Sequence, residues 1–346
     1  MHASQKHTRL FMKSLPKNKI VYVYLAAAAL LLLSAFFGIL LGATNLSLSG
    51  AFAAIVRGDM ESPEARILIY VRLPRVLAAL TCGAALAVSG AVIQGVLANK
   101  LASPSIIGVN AGAGLATTLC SVFGIIGGWR LSLFAFLGAF FAVMLVSLGA
   151  KKWGASRGTV ILMGVALNAF LGALSDTVTT FVPDAAIMRN DFKIGDFSSV
   201  TYAKILPAAV VIFISVAVLT TLSNELDLLT LGDENAKGLG LNTGAARVIF
   251  LMLSALLASA AVSVCGLLSF VGLLVPHTVR RLATSESKHL LPLCALLGAG
   301  FVSLCDTLAR VVFAPYELPV GIIMAFLGAP FFIFILVKGK GGHSRD

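Results

Sequence analysis

The chain has 346 residues, 58% of them hydrophobic and only 12% charged, and its mean hydropathy of +0.97 excludes an ordinary soluble globular domain. The formal charge of +11 does not point to nucleic acid, because the Lys and Arg are scattered through short segments between apolar runs and form no continuous basic stripe. Apolar runs of about 20 residues recur along the whole length, enough to cross roughly 30 Å of hydrocarbon as helices, and the short alternating segments of a membrane barrel are absent.

Residues 1–19 carry Lys6, Arg9, Lys13, Lys17 and Lys19. The run that follows, 20–42, is too long for a signal-peptide core and lacks a cleavage site, so it reads as a retained transmembrane helix. A second span is expected over 74–96, with Pro74 in its first turn, where a missing N–H costs nothing. LANKLASPS at 97–105 breaks the pattern as a tight cytoplasmic connection to a third span, 106–126. Spans 131–150 and 159–181 follow. Small residues recur four apart, as in Gly83/Ala87/Ala91/Gly95, Gly108/Gly112 and Gly164/Gly172 with Asn168 between them, a spacing that lets helices approach closely where lipid supplies no drive for association.

After a span at 204–223 comes ELDLLTLGDENAKGLGLNTGAAR, residues 225–247, the longest inside loop. Asp233 and Glu234 after Gly232 suit the first turn of a short helix. Gly238 and Gly240 would end it and allow a sharp turn into a second short helix that leads to the next span, 247–264. Such a helix–turn–helix, lying flat on the membrane, is a shape that a soluble partner can push. The last three spans are 267–283, which is short and carries Pro276, His277, Arg280 and Arg281, then 290–311, and 319–337 with Pro319 at its start.

The expectation is therefore an all-α polytopic membrane protein: one ten-helix domain over 20–337, flanked by a cytoplasmic segment 1–19 and a cytoplasmic tail 338–346. With both termini cytoplasmic, most of the 26 Lys and Arg fall on the inside, as the positive-inside rule requires. Of the ionisable residues within the spans, Asp176, Asp306 and Arg310 are singled out, all toward the outer ends; Asp306 and Arg310 are four apart and can pair within one helix. No acid lies near the midplane, where a proton-driven pump would need one.

No G-x-x-x-x-G-K-[ST] motif occurs, so the chain does not hydrolyse ATP by a P-loop route. GLGLNTG at 238–244 has the wrong spacing for a dinucleotide fingerprint and follows no strand. The five histidines are dispersed, and His277 reads as a capping or packing residue. Cys82, Cys120, Cys265, Cys294 and Cys305 lie inside apolar runs without C-x-x-C spacing and read as small buried hydrophobes rather than a disulfide framework or a metal site.

Several stretches then carry a resemblance: RLPRVLAALTCGAALAVSGAVIQGVLANKLASPSIIGVNAGAG at 72–114, LMGVALN at 162–168, the 225–247 loop, FVGLLVPHTVRR at 270–281 and ELPVGIIMAFLGAPFFIFIL at 317–336. In these the chain resembles FecCD-type permeases, the membrane subunits of type II ABC importers for ferric siderophores, haem and cobalamin. The resemblance implies a homodimer or heterodimer of two such subunits in the inner membrane of a prokaryote. It also implies two cytoplasmic ATPase subunits, which carry ATP and Mg while this chain holds no cofactor, and an extracytoplasmic binding protein on the outer face.

Carried over, the implied ATPase-coupling residues are Gly232, Asp233, Glu234, Ala236, Lys237, Gly238, Leu239 and Gly240. Arg72, Arg75 and Arg310 are implied to dock the binding protein, since guanidinium groups exposed at outer helix ends capture carboxylates; interfacial anchoring, or for Arg310 the pair with Asp306, are the alternatives. Asn99, Leu101, Gly158 and Thr159 match positions near a cytoplasmic gate, and Gly164, Asn168 and Gly172 a path-lining face of the fifth span. Two departures stand out: Lys100 replaces the proline of the usual N-P-L-A, and Asp196 stands where serine is common.

The leading expectation is thus the permease subunit of an ATP-driven importer for an iron chelate, ferric siderophore before haem or cobalamin. The alternative is an ion-gradient-driven secondary transporter or channel. No nucleophile–base or metal constellation supports a membrane enzyme.

Overall fold

A computed structural model describes residues 17–44, 47–154 and 156–340. The expectations for 1–16 and 341–346 lie outside the described residues. Every regular element among the described residues is a helix.

Among the described residues, seven helices are long and apolar enough to cross a membrane. They are α1 (Lys17–Leu40), α3 (Pro63–Val96), α5 (Gly128–Lys152), α6 (Arg157–Phe181), α8 (Tyr202–Thr221), α11 (Thr243–Cys265) and α13 (Ser287–Val311). Between them lie α2 (Leu48–Val56), α4 (Val109–Val122), α7 (Ala185–Ile194), α9 (Ser223–Thr230), α10 (Asp233–Gly238) and α12 (Val271–Leu282), and α14 (Val320–Lys340) closes the chain.

The core is α3 sandwiched between α11 and α13. Their apolar stretches are 78%, 67% and 67% buried, against 17% for α1 and for α6, which lie at the periphery. Glycine makes the sandwich possible. A Cβ on Gly83 of α3 would stand 2.9 Å from the carbonyl carbon of Gly298 in α13, and one on Gly90 would stand 2.6 Å from that of Gly272 in α12. Backbone lies against backbone at both crossings, the arrangement that dispersion and close packing favour in lipid. The small-residue spacing of the sequence is thereby used on α3.

Two expected spans come out differently. The apolar runs 106–126 and 267–283 predict full crossings, yet the helices there are α4, with 14 residues, and α12, with 12. At 1.5 Å per residue these reach about 21 and 18 Å, short of the hydrocarbon thickness. A one-turn helix, Pro104–Ile107, precedes α4, and the irregular stretch 266–270, with positive φ at Gly266 and Phe270, precedes α12. Irregular backbone at this depth persists only inside protein, and these bonds are met: Leu267 N–H donates to the Phe192 carbonyl at 2.9 Å, and Asp196 N–H to that of Cys265 at 2.9 Å.

Pro74 lies in the first turn of the regular α-helical part of α3, Leu73–Val96, as expected. Helical structure continues back from there, however, to Pro63, capped by the Ser62 hydroxyl. The turn before Pro74, Ile67–Arg72, widens to π geometry, which accommodates a proline that cannot close the ordinary bond. The sequence pattern also missed α2 and α7, both shorter than a span.

The helix ends define two faces. One gathers the C-terminal end of α3, the N-terminal ends of α6, α11 and α13, and the elbow α9–α10. The opposite face gathers the C-terminal end of α1, the N-terminal end of α3 and the C-terminal end of α13.

Candidate functional site

The elbow forms largely as its residues dictate. Gly232 (φ 102°) and Gly240 (φ 88°) take left-handed backbone that other residues resist, and they bracket α10, whose first turn holds Asp233 and Glu234. The second short helix, however, precedes α10 rather than following it. It is α9, and after Gly240 the chain enters α11 directly at Thr243, capped by Asn242. Ser223, Leu226 and Leu229 bury the underside of α9, and Ala236 that of α10, while Glu234, Lys237, Gly238 and Leu239 face outward.

Two carboxylates tie the elbow to the long helices. Asp233 accepts Arg157 Nη2 of α6 at 2.8 Å on one oxygen and Arg247 Nη2 of α11 at 2.6 Å on the other. Arg157 Nη2 also donates to the Leu229 carbonyl at 2.7 Å, closing the last turn of α9. Asp227 accepts the Ser287 N–H at 3.0 Å and its hydroxyl at 2.5 Å, and so caps the start of α13. Partial burial pushes the Asp233 carboxyl up, but Arg247 and Arg157 outweigh it and hold the group below the usual carboxylate range. For Asp227, burial wins over the Ser287 bonds and raises it. A cleft of about 810 Å3 opens beside the tie, lined by Ser147, Lys151, Asp233, Lys237, Asn242 and Arg247.

The expected gate residues lie at this same face. Asn99 Oδ1 accepts the Leu101 N–H at 2.9 Å, holding a tight turn in which Ala98 has φ 46°, and Leu101 is half exposed. Thr159 N–H and hydroxyl both meet Ser156 Oγ, the cap of α6, and Gly158 is exposed beside it. Among the described residues no hydrogen bond joins the two pairs. Lys100 is exposed at the turn, while behind it Gln94 donates to the Gly272 carbonyl at 2.9 Å and accepts Arg280, joining α3 to α12.

The expected path-lining face of α6 divides. Asn168 Nδ2 donates to the carbonyls of Ser105 and Ile106 at 2.9 and 3.0 Å, and a Cβ on Gly164 would stand 2.9 Å from Ile107 Cα. Both therefore hold the Pro104–Ile107 turn against α6 rather than facing open space. Gly172 has nothing within 4 Å of where its Cβ would be. The open stripe of α6 runs instead through Leu162, Val165, Ala169, Phe170 and Ala173.

On the opposite face the three arginines are not exposed, contrary to expectation; each is under 5% accessible. Arg72 donates to the carbonyls of Ile39, Leu40 and Thr44 at 2.8, 2.6 and 2.6 Å. Arg310 donates to those of Gly38 and Leu41 at 3.0 and 3.1 Å. Together they satisfy the end of α1, whose last carbonyls lack helical partners and carry partial negative charge. Arg310 also pairs with Asp306 at 3.2 Å, as the four-residue spacing predicts. Arg75 is a third member that spacing could not give: it meets Asp306 at 3.0 Å, Glu317 at 2.6 Å and Asp196 at 3.8 Å. Of these acids only Glu317 and Asp196 reach the rim, each about one third exposed. Nearby, Asp176 pairs with Arg189 of α7.

All five cysteines are buried free thiols. Among the described residues no group of three His, Cys, Asp or Glu side chains is placed to hold a metal ion.

The model of the FecCD transport family matches residues 30–338. The chain belongs to the FecCD transport family. Among its relatives, the Fe(3+) dicitrate transport system permease protein FecC of Escherichia coli is 35% identical over 94% of this chain and 99% of that protein. The hemin transport system permease protein HmuU of Yersinia pestis is 34% identical over 88% of this chain and 93% of that protein. This FecCD chain also superposes on an inward-facing metal-chelate type ABC transporter with a TM-score of 0.80 and 31% identity, covering 92% of this chain and 99% of that one. PsaBC from Streptococcus pneumoniae, at 14% identity and a TM-score of 0.55 over 82% of this chain and 94% of that one, shares the fold alone.

Proposed function

We propose that this FecCD chain is the permease subunit of an ATP-driven importer in a prokaryotic inner membrane, and that its cargo is an iron chelate. The observation that carries this reading is family membership over nearly the whole chain, joined to an elbow braced for load. ATP and Mg belong to a partner ATPase. The elbow face is then cytoplasmic, the chain crosses the membrane ten times with α4 and α12 as its short crossings, and both ends lie on the elbow side. Two such subunits, identical or paralogous, enclose the path, with the open stripe of α6 toward it, Gly172 included, and with Asn99, Leu101, Gly158 and Thr159 at its inner mouth.

An extracytoplasmic binding protein docks on the opposite face. Of the three arginines, Arg75 lies beneath rim acids that a docked protein can displace, so the docking contact is assigned to Arg75 and its rim. Arg72 and Arg310 are engaged with α1 and are left out of it.

The test is uptake of ferric citrate and of haemin into proteoliposomes holding the permease, its ATPase and its binding protein. ATP-dependent uptake of either supports the reading. Uptake driven by a proton gradient without nucleotide would replace it with a secondary transporter.

A further inference from the structure

The elbow has a mechanical weakness that one side chain repairs. Helix α10 has six residues, too few to be stable alone, and Gly232 and Gly240 bound it as left-handed swivels. Ala236 alone among its side chains is buried, and it offers one methyl group of anchorage. What fixes α10 to the membrane helices is the Asp233 carboxylate, one oxygen on α6 through Arg157 and the other on α11 through Arg247. Both guanidinium groups are largely enclosed, with 20% and 12% of each side chain exposed, and the Asp233 side chain between them is 40% exposed, so solvent screens the tie in part but less than a pair exposed on both sides. Helix α9 needs no such device, because Leu226 and Leu229 are buried as knobs beneath it and Asp227 caps α13.

We infer that Asp233 is a positioning residue that transmits displacement of the elbow jointly to α6 and α11, and that it is not a contact for the ATPase. The inference rests on the reading that an ATPase drives this elbow. It separates two roles within one short segment: Glu234, Lys237 and Leu239 are exposed to be pushed, while Asp233, though 40% exposed, commits both carboxylate oxygens to arginines of the long helices and pulls. A load applied to α10 without the carboxylate would turn the helix about its glycines and leave α6 in place. With it, the N-terminal ends of α6 and α11 move as one body, and Thr159 at the start of α6 moves with them.

The experiment uses the assembled importer in proteoliposomes and measures cargo taken up per ATP hydrolysed. Asp233→Asn keeps the shape and one acceptor but removes the charge that holds two arginines. The expected result is a fall of about tenfold in that ratio, the order of effect of losing a charge-assisted hydrogen bond, with the ATPase still bound and still hydrolysing. Asp233→Glu, which restores the carboxylate, recovers most of it, whereas Glu61→Gln, a 90% exposed acid between α2 and α3 on the opposite face, leaves the ratio within twofold. An unchanged ratio in Asp233→Asn overturns the inference.

Should Asp233→Asn fail to assemble, Arg247→Lys, which keeps the charge but loses the planar fork, is judged by the same two outcomes. A cysteine at the outward Lys237 distinguishes the two levels of the argument. If it cross-links to the ATPase while Asp233→Asn stays coupled, only the tie is wrong; if it never cross-links in any nucleotide state, the driven elbow itself is wrong.

Discussion

Asp306→Asn is the sharpest probe of the opposite face. Asp306 is 1% exposed and holds Arg75 at 3.0 Å and Arg310 at 3.2 Å. With an effective dielectric constant near 20, each pair is worth about 5 kcal/mol of Coulomb attraction, much of which is offset by removing the ions from water. An amide of the same shape satisfies one guanidinium at most and turns an N–H toward the other. Breaking a buried pair from one side costs about 3–5 kcal/mol, and the lower end applies here because Glu317 still reaches Arg75 at 2.6 Å.

Glu317→Gln, at a rim that solvent reaches, should cost about 1 kcal/mol or less. The buried cysteines supply the assay, since a thiol-reactive fluorophore reports their exposure as the detergent-solubilised protein is heated. Asp306→Asn is expected to lower the transition by roughly 5 °C or more, several times the shift of Glu317→Gln. Equal shifts, or the reverse order, would refute the claim that the buried acid organises this cluster.

Gly90→Ala forces α3 and α12 apart where their backbones touch and should destabilise by about 1–3 kcal/mol, whereas Gly172→Ala, with open space around it, should leave the thermal transition where it is. Arg72→Gln strips the α1 terminus of three hydrogen bonds, so hydrogen exchange should quicken at residues 38–44 while the far end of α1 stays protected. Arg247 and Arg157 hold the Asp233 carboxyl below the usual carboxylate range, so its stabilising contribution is fully present above that range and lost only as pH falls through the lowered value. The transport-to-hydrolysis ratio should accordingly be flat between pH 5 and 7.5, and a decline centred near pH 6 would show that Asp233 is not so held.

What the sequence by itself determined was the class and the long elements. Apolar runs of helical length leave the chain no soluble alternative, because unpaired backbone in lipid is too costly. The ends of α6, α8, α11 and α13 follow within a few residues from where that apolar character stops. Gly232 and Gly240 likewise announced the bounds of α10, since left-handed backbone at those points selects for glycine, and the four-residue spacing of Asp306 and Arg310 gave their pair.

Only the tertiary structure decided where the charges are used. Arg157 and Arg247 read as ordinary inside-positive residues, and nothing local says that 76 and 14 residues separate them in sequence from a shared partner at Asp233. Arg75 meets Asp306 across 231 residues, so three arginines that look like exposed docking groups prove buried. The half-length of α4 and α12 was hidden for the same reason: hydropathy registers burial but does not distinguish lipid from protein as the apolar surrounding, and the irregular backbone at 266–270 is tolerated because protein carbonyls, Phe192 of α7 for Leu267 and Val262 of α11 for Gly266, supply partners. Periodicity specifies what a segment buries; which carbonyl or carboxylate waits on the other side is fixed by packing between parts of the chain that are far apart in sequence.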